Sequence, residues 1–300
     1  MTSRTPPGPI LAATDFSGPS RHAADRAARL AHETGAALTL LHVLPGGALQ
    51  ELREWLGASH PMEQQLHDEA DRQLGAWAAE LQTSRRVNIR AVKSTGSPLV
   101  EIDRECEELN ASLLVVGARG SGFLRQLVLG STSERLLRRT KQPVLVVRHK
   151  PHEAYHHVLV ALDFSPWSAH AIALARWVAP HARLLLFNAY QVPFESKLRY
   201  AGVDPATIDH YRKQARADAL QRVLSLAASS GLKPGDWDPC IVEGEASQAL
   251  LEQEQEQDCD LVVLGKHGRS VTEDMLLGSV SKHVLAEGST DVLVSTARDE

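Results

Sequence analysis

The sequence predicts two tandem doubly wound α/β domains, each a five-stranded parallel sheet flanked by helices. Three observations carry this: a repeat held at an offset of 148 positions, an alternation of short Val/Leu/Ile runs with longer amphipathic stretches, and a length of 300 residues. That length suits two cores of about 150 residues each. The repeat is direct, since ILAATDFSGPSRHA is answered by VLVALDFSPWSAHA and LLVVGARG by LVVLGKHG. Asp15 and Asp163, Gly96 and Gly244, Gly117 and Gly265, and Gly130-Ser131 and Gly278-Ser279 all keep the 148 spacing, with a shift to 146 only where LTLLHV meets LLLFNA. An internal period of this kind fixes the architecture before any single element does.

The elements follow from the alternation. In the first copy strands are expected over 9–14, 37–43, 87–92, 112–117 and 143–147, and helices over 17–34, 62–84, 97–109 and 131–140. The second copy repeats the plan with strands over 157–162, 184–189, 239–243, 260–265 and 291–295, and helices over 165–179, 205–230, 245–257 and 279–287. Strands this apolar on both faces read as interior parallel strands, and several helices open at Ser or Thr caps. The 62–84 and 205–230 helices, rich in Glu, Arg, Gln and Ala, read as amphipathic with a solvent face. His22 and His170, at matching places on the first helices, read as helix-surface residues. The expected domains are 1–148 and 157–300, joined by the polar, proline-containing linker 149–156. Sheets of this type bind ligands beyond the carboxyl ends of their strands, where the winding reverses.

Composition narrows the function. A net charge of −5 with no Lys/Arg run excludes nucleic acid as a partner. The N-terminus lacks a signal-peptide pattern and no apolar run reaches the ~18 residues of a membrane span, so no membrane insertion and a cytoplasmic location are expected. Cys106, Cys240 and Cys259 fall at unrelated spacings and read as idle reduced thiols. His149, His152, His156 and His157 crowd the linker too loosely to assign the converging ligands of a zinc site.

Each copy carries Gly, two residues, Gly, nine residues, then Gly-Ser: Gly117, Gly120, Gly130 and Ser131, then Gly265, Gly268, Gly278 and Ser279. The first glycine ends a central strand, where a side chain would collide with a ligand lying across the sheet edge. The second permits a turn, and the final Gly-Ser opens a helix whose free N–H groups and positive dipole end suit a phosphate. The blander reading is that such glycines are common in α/β proteins and that Ser131 with Glu134 forms a capping box. Two instances in register favour phosphate.

On these residues, together with D-F-S at Asp15 and Asp163 and the terminal PVLVV and DVLVS strands, the chain resembles a tandem universal stress protein. It is similar to two UspA-type domains of the ATP-binding subclass. The resemblance implies Rossmann-like domains of strand order 3-2-1-4-5 and a bound ATP, or AMP or ADP in its place. It puts Asp15 and Asp163 beside ribose and adenine, and the backbones of Val43 and Ala189 against adenine. The turns Ser131, Thr132, Ser133 and Ser279, Val280, Ser281 match the family's phosphate contacts. For the two aspartates, a carboxylate that simply favours a helix N-terminus is the alternative. Pairing of strands 144–147 and 292–295 across a dimer is also implied, as a pseudo-dimer within the chain or a homodimer.

The copies differ in charge. Arg119 and Arg125 stand between the first copy's glycines with no acid, whereas Lys266, His267 and Arg269 share the second with Glu273 and Asp274. Polyphosphate should therefore favour the first site, unless those acids hold Mg²⁺ against the nucleotide. No G-x4-G-K-[ST] loop or kinase-type motif accompanies the glycines. The expected function is a regulatory, stress-response ATP binder with slow or no hydrolysis, not a dedicated enzyme. A nucleotide-independent interaction scaffold is the alternative.

Overall fold

Near-continuous Val, Leu and Ile in the inner strand runs leave no polar face to put in water, so the middle of each sheet must be covered on both sides. The computed structural model describes residues 8–56, 61–120, 130–192, 197, 200–266 and 277–296. The chain divides into two compact units, the first closing at Ala154 and the second opening at Tyr155.

The first unit runs β1 (Ile10–Thr14), α1 (Gly18–Thr34), β2 (Leu38–Pro45), α2 (Gly46–Leu56), α3 (Met62–Arg85), β3 (Ile89–Gly96), α4 (Pro98–Glu108), β4 (Leu113–Gly117), α5 (Ser131–Arg139) and β5 (Val144–Val147). Its strands lie in the order β3-β2-β1-β4-β5, all parallel. Right-handed crossovers then place α1 and α3 on one face and α4 and α5 on the other. Ile10, Leu11, Leu113 and Leu114 are fully buried at the centre.

The second unit repeats the winding with β6 (His157–Ala161), α6 (Trp167–Val178), β7 (Arg183–Tyr190), α7 (Pro205–Ser229), β8 (Trp237–Glu243), α8 (Ala246–Glu256), β9 (Leu261–Gly265), α9 (Ser279–Glu287) and β10 (Asp291–Ser295). Its order is β8-β7-β6-β9-β10, again parallel. In both units the chain winds one way from the first strand and the other way from the fourth, which leaves a crevice above their adjoining ends.

Helix α2 is not expected from the sequence. Gly46-Gly47 reads as a turn, yet the following ALQELREWL is a helix-forming run and anchors itself through Leu49, which is buried. Elsewhere the ends have local causes. Ser17 caps α1, which stops at Gly35 with φ 73°, and the Asp204 carboxylate caps α7 by accepting from the Thr207 N–H at 2.9 Å. His22 and His170 are half-buried rather than on the surface.

The segment after β5 is held by side chains. Arg26 and Arg29 of α1 donate to the carbonyls of Glu153 and His152, each at 2.8 Å. In the second unit the Tyr155 hydroxyl donates to Asp291 Oδ2 at 2.6 Å, with both residues buried. Tyr155→Phe removes that donor from a buried carboxylate and should cost about 1–3 kcal/mol. Urea denaturation should show it as a lower midpoint at unchanged slope. Among the described residues no group of three His, Cys, Asp or Glu is placed to hold a metal ion. Burial pushes the thiols of Cys106 and Cys259 up to about 12 and that of Cys240 up to about 11, so none is a thiolate nucleophile at neutral pH.

Candidate functional site

The turn from the first strand into the first helix is built the same way twice. Asp15 Oδ1 accepts from the Ser17 N–H at 3.1 Å, and Asp163 Oδ1 from the Ser165 N–H at 2.9 Å. Each is an Asx turn, in which the side chain stands in for a backbone acceptor. The phenylalanine between them takes left-handed backbone, φ 64° at Phe16 and φ 60° at Phe164. That conformation costs a bulky residue about 1–3 kcal/mol and persists only where its surroundings enforce it. In the first unit the Phe16 ring stacks on His42, centroids 4.1 Å apart, with Trp77 behind it at 6.4 Å. In the second the Arg222 guanidinium lies 4.0 Å from the Phe164 ring centre. The sequence repeats D-F-S, but the strain in it is visible only in the backbone.

Two further ties fix the end of the first strand. His42 Nδ1 lies 2.8 Å from the Thr14 carbonyl, and Asn188, the equivalent residue on β7, donates from Nδ2 to the Leu162 carbonyl at 2.7 Å. The carbonyl partner puts the His42 proton on Nδ1. Burial holds the His42 pKa below the ordinary histidine value, outweighing the hydrogen bond to Thr14 and the nearby Asp15 charge. A depressed folded-state pKa means that the unfolded chain takes the proton more readily. This contribution to stability is therefore complete above about pH 6.5 and is lost as pH falls through the folded-state value. His42→Asn, which borrows the second unit's own solution, should flatten the pH dependence of unfolding below pH 6.5, measured as urea midpoints across pH 5–7.5.

The serine one turn into each helix distinguishes the copies. Ser20 Oγ is 3.0 Å from Thr14 Oγ1, but where Leu162 replaces that threonine, Ser168 Oγ donates to Asp163 Oδ1 at 3.0 Å instead. Asp15 is left exposed, whereas Asp163 is held on one oxygen while its Oδ2 is buried with no hydrogen-bond partner among the described residues. A buried orphan acceptor is uncommon and calls for a donor.

A cleft opens above these turns in each unit. In the first it measures about 320 Å³ and gathers Asp15, Val43, Gly117, Arg119, Gly120, Gly130, Ser131, Thr132 and Ser133. In the second it measures about 590 Å³ and gathers Asp163, Ala189, Gly265, Gly278, Ser279, Val280 and Ser281. His267 and Gly268, with Arg125, Arg269, Glu273 and Asp274, lie outside the described residues. Arg119 is half-buried on the cleft wall and makes no ion pair among the described residues. Strand β2 outruns β1, whose last partner is Thr14 opposite His42, so the Val43 backbone reaches past the strand that would pair with it. Ala189 stands likewise beyond the β6–β7 pairing, which ends at Ala161 opposite Phe187.

The glycines have reasons the sequence did not supply. A Cβ on Gly117 would lie 2.9 Å from the carbonyl carbon and oxygen of Pro19, so this glycine lets α1 rest on β4. A Cβ on Gly120 would lie 2.8 Å from Asp15 Oδ2, which brings the motif against the first turn. Gly130, not Ser131, is the N-cap of α5, and Glu134 pairs with Arg138 at 2.5 Å, so the expected capping box is not formed. Ser133 and Ser281 donate their hydroxyls to the Gly117 and Gly265 carbonyls at 2.8 and 2.7 Å, tying each helix to its strand. The result is that α5 and α9 both begin at a glycine N-cap with no side-chain cap among the described residues. The first N–H groups of each helix, at Ser131–Thr132–Ser133 and Ser279–Val280–Ser281, face the cleft with the dipole's positive end.

Comparison with known proteins agrees with this doubled geometry. The family model for the universal stress protein family matches twice, over residues 8–148 and 154–296. The chain belongs to the universal stress protein family. A universal stress protein of Mycolicibacterium smegmatis is 31% identical over 96% of this chain and 97% of its own length. One of Mycobacterium bovis is 28% identical over 86% of each chain. Among solved structures, a universal stress protein from Archaeoglobus fulgidus superposes with a TM-score of 0.68 at 20% identity, covering 96% of this chain and 97% of that one, a likeness of fold. The universal stress protein fold is thus carried twice, and no helix of the described residues is long and apolar enough to cross a membrane.

Proposed function

We propose that each unit binds an adenine nucleotide, with ATP the preferred mononucleotide, and that the bound state regulates what the protein presents to partners in a stress response. The observation that carries this is the pair of helix N-termini, α5 and α9, each opening at a glycine N-cap onto equivalent clefts with no side-chain cap among the described residues. An anion supplies the acceptors that a capping side chain otherwise would. Ser131, Thr132 and Arg119 would hold phosphates in the first unit, and Ser279 and Val280 in the second. Adenine would lie against the backbone of Val43 or Ala189, and the ribose hydroxyls would donate to Asp15 or to the orphaned Asp163 Oδ2. Among the described residues neither cleft gathers a second set of groups for phosphoryl transfer, and we expect slow hydrolysis at most.

Isothermal titration of the full chain with ATP should show binding in the micromolar to low millimolar range, with two sites filled at saturation. Mass spectrometry of small molecules released by denaturing the purified protein should find adenine nucleotides. A chain that carries none and binds none at millimolar ATP would not be a nucleotide protein.

A further inference from the structure

The second cleft is larger than the first for a reason that can be named residue by residue. In the first unit the space on the α3 side of the β1 and β2 ends is filled by Phe16, which lies on His42 at 4.1 Å, and by Trp77, tilted 53° to Phe16 at 6.4 Å. Aligning α3 with α7 on their buried residues, Leu74 and Ala78 against Ala219 and Val223, sets Trp77 against Arg222 and Asp71 against Arg216. Leu74 thus becomes Ala219, Trp77 becomes Arg222 and His42 becomes Asn188, so bulk is withdrawn at three adjoining positions. The second unit's cleft consequently continues over the strand ends onto the α7 side, where Ala215 and Ala219 form its floor and Phe164, Asn188, Tyr190 and Arg222 its walls.

Helix α7 also differs from α3 in charge, and Arg222 is the one cation among the described residues that α7 brings to the lining of the extension. Helix α3 carries Glu63, Asp68, Glu69, Asp71 and Glu80 against Arg72 and Arg85, whereas α7 carries Arg212, Lys213, Arg216 and Arg222 against Asp209 and Asp218. Arg212 is paired with Glu243 at 3.1 Å, and Asp218 also lines the extension. Arg216 and Arg222 are both exposed on α7. A guanidinium backed by an aromatic ring is a platform on which a nucleobase stacks, and it attracts phosphate at its edge.

We propose that the second unit's cleft is a dinucleotide site. One nucleotide takes the position against α9 that a mononucleotide takes in the first unit, and the other lies on the α7 side, its base on the Arg222–Phe164 stack. This rests on the nucleotide reading of the same cleft. The first unit, with that space filled by Trp77, takes a mononucleotide only.

The test is isothermal titration of the full chain with ATP and, separately, with diadenosine tetraphosphate. The dinucleotide should bind one site at least tenfold more tightly than ATP does, well beyond the twofold that two identical ends supply statistically. Ala219→Leu with Arg222→Trp, which restores the first unit's filling at two of the three adjoining positions, should abolish the advantage and leave ATP binding unchanged. Arg222→Glu, a substitution at an exposed position, should reduce it at least tenfold if the doubly substituted chain does not fold. ATP binding with no dinucleotide advantage, or an advantage that survives Arg222→Glu, overturns the dinucleotide site alone. Binding of neither ligand overturns the nucleotide reading and this inference together.

Discussion

Replacing Ser131 and Ser279 together by aspartate is expected to weaken ATP binding by about 100-fold at both sites, roughly 2.7 kcal/mol each, while the protein becomes slightly more stable. Both residues are the first helical position after a glycine N-cap, and Ser131 is exposed to the cleft. A carboxylate there meets a polyphosphate at contact distance, and two like charges about 4 Å apart near a protein surface repel by as much as ~4 kcal/mol before salt screening. The same carboxylate is favourable to the helix, since a negative charge in the first turn stabilises it by about 0.3–1 kcal/mol. Binding and stability should therefore move in opposite directions, which separates this substitution from any that merely damages the fold. Isothermal titration with ATP and urea denaturation on the same preparation read the two effects. Unchanged ATP affinity in the doubly substituted chain would place the phosphates away from α5 and α9.

The offset of 148 positions made the architecture legible, because each strand and helix could be read against its twin. Helix α2 escaped because it has no twin among the matched elements and begins at Gly46-Gly47, which local chemistry marks as a turn. The site was legible as a set of positions more than as a set of reasons. Repeated D-F-S pointed to Asp15 and Asp163, but not to the left-handed phenylalanine between Asp and Ser, since nothing in a bulky aromatic residue favours positive φ. Nor did it show that Ser168 turns to Asp163 while Ser20 turns to Thr14. That difference hangs on one substitution two residues before Phe164, Leu162 for Thr14, and on geometry that joins positions six apart. The capping box at Ser131 and Glu134 was a sound local pattern displaced by one residue, because Gly130 takes the cap through its backbone and frees Glu134 for Arg138. The charge contrast around the two glycine motifs rests largely on residues outside those described. A second contrast between the copies lies on α3 and α7, where side-chain size and sign change together.

Gly117→Ala should destabilise the first unit by about 2–3 kcal/mol, the upper part of the range for overpacking a well-filled interior. The added methyl would sit 2.9 Å from both the carbonyl carbon and oxygen of Pro19 and 3.0 Å from the Ser20 nitrogen. All three are backbone atoms at the start of α1, so no side chain can rotate out of the way and the helix must lift from β4. Gly18→Ala is the matched control: a Cβ there meets nothing within 4 Å, and the site is helical, so stability should hold or rise by up to ~1 kcal/mol. Gly130→Ala lies between the two, its nearest neighbour being Arg119 Cα at 3.3 Å. Urea denaturation of the three variants should therefore rank them Gly117, Gly130, Gly18 from most to least damaging. A glycine kept for the ligand would behave differently, giving an alanine variant of normal stability that fails to bind nucleotide. For Gly117 the fold should yield first, and the second unit, whose own cleft is untouched, should still titrate with ATP. If instead Gly117→Ala leaves the urea midpoint in place and removes ATP binding from the first unit, the methyl group is meeting the nucleotide and not α1.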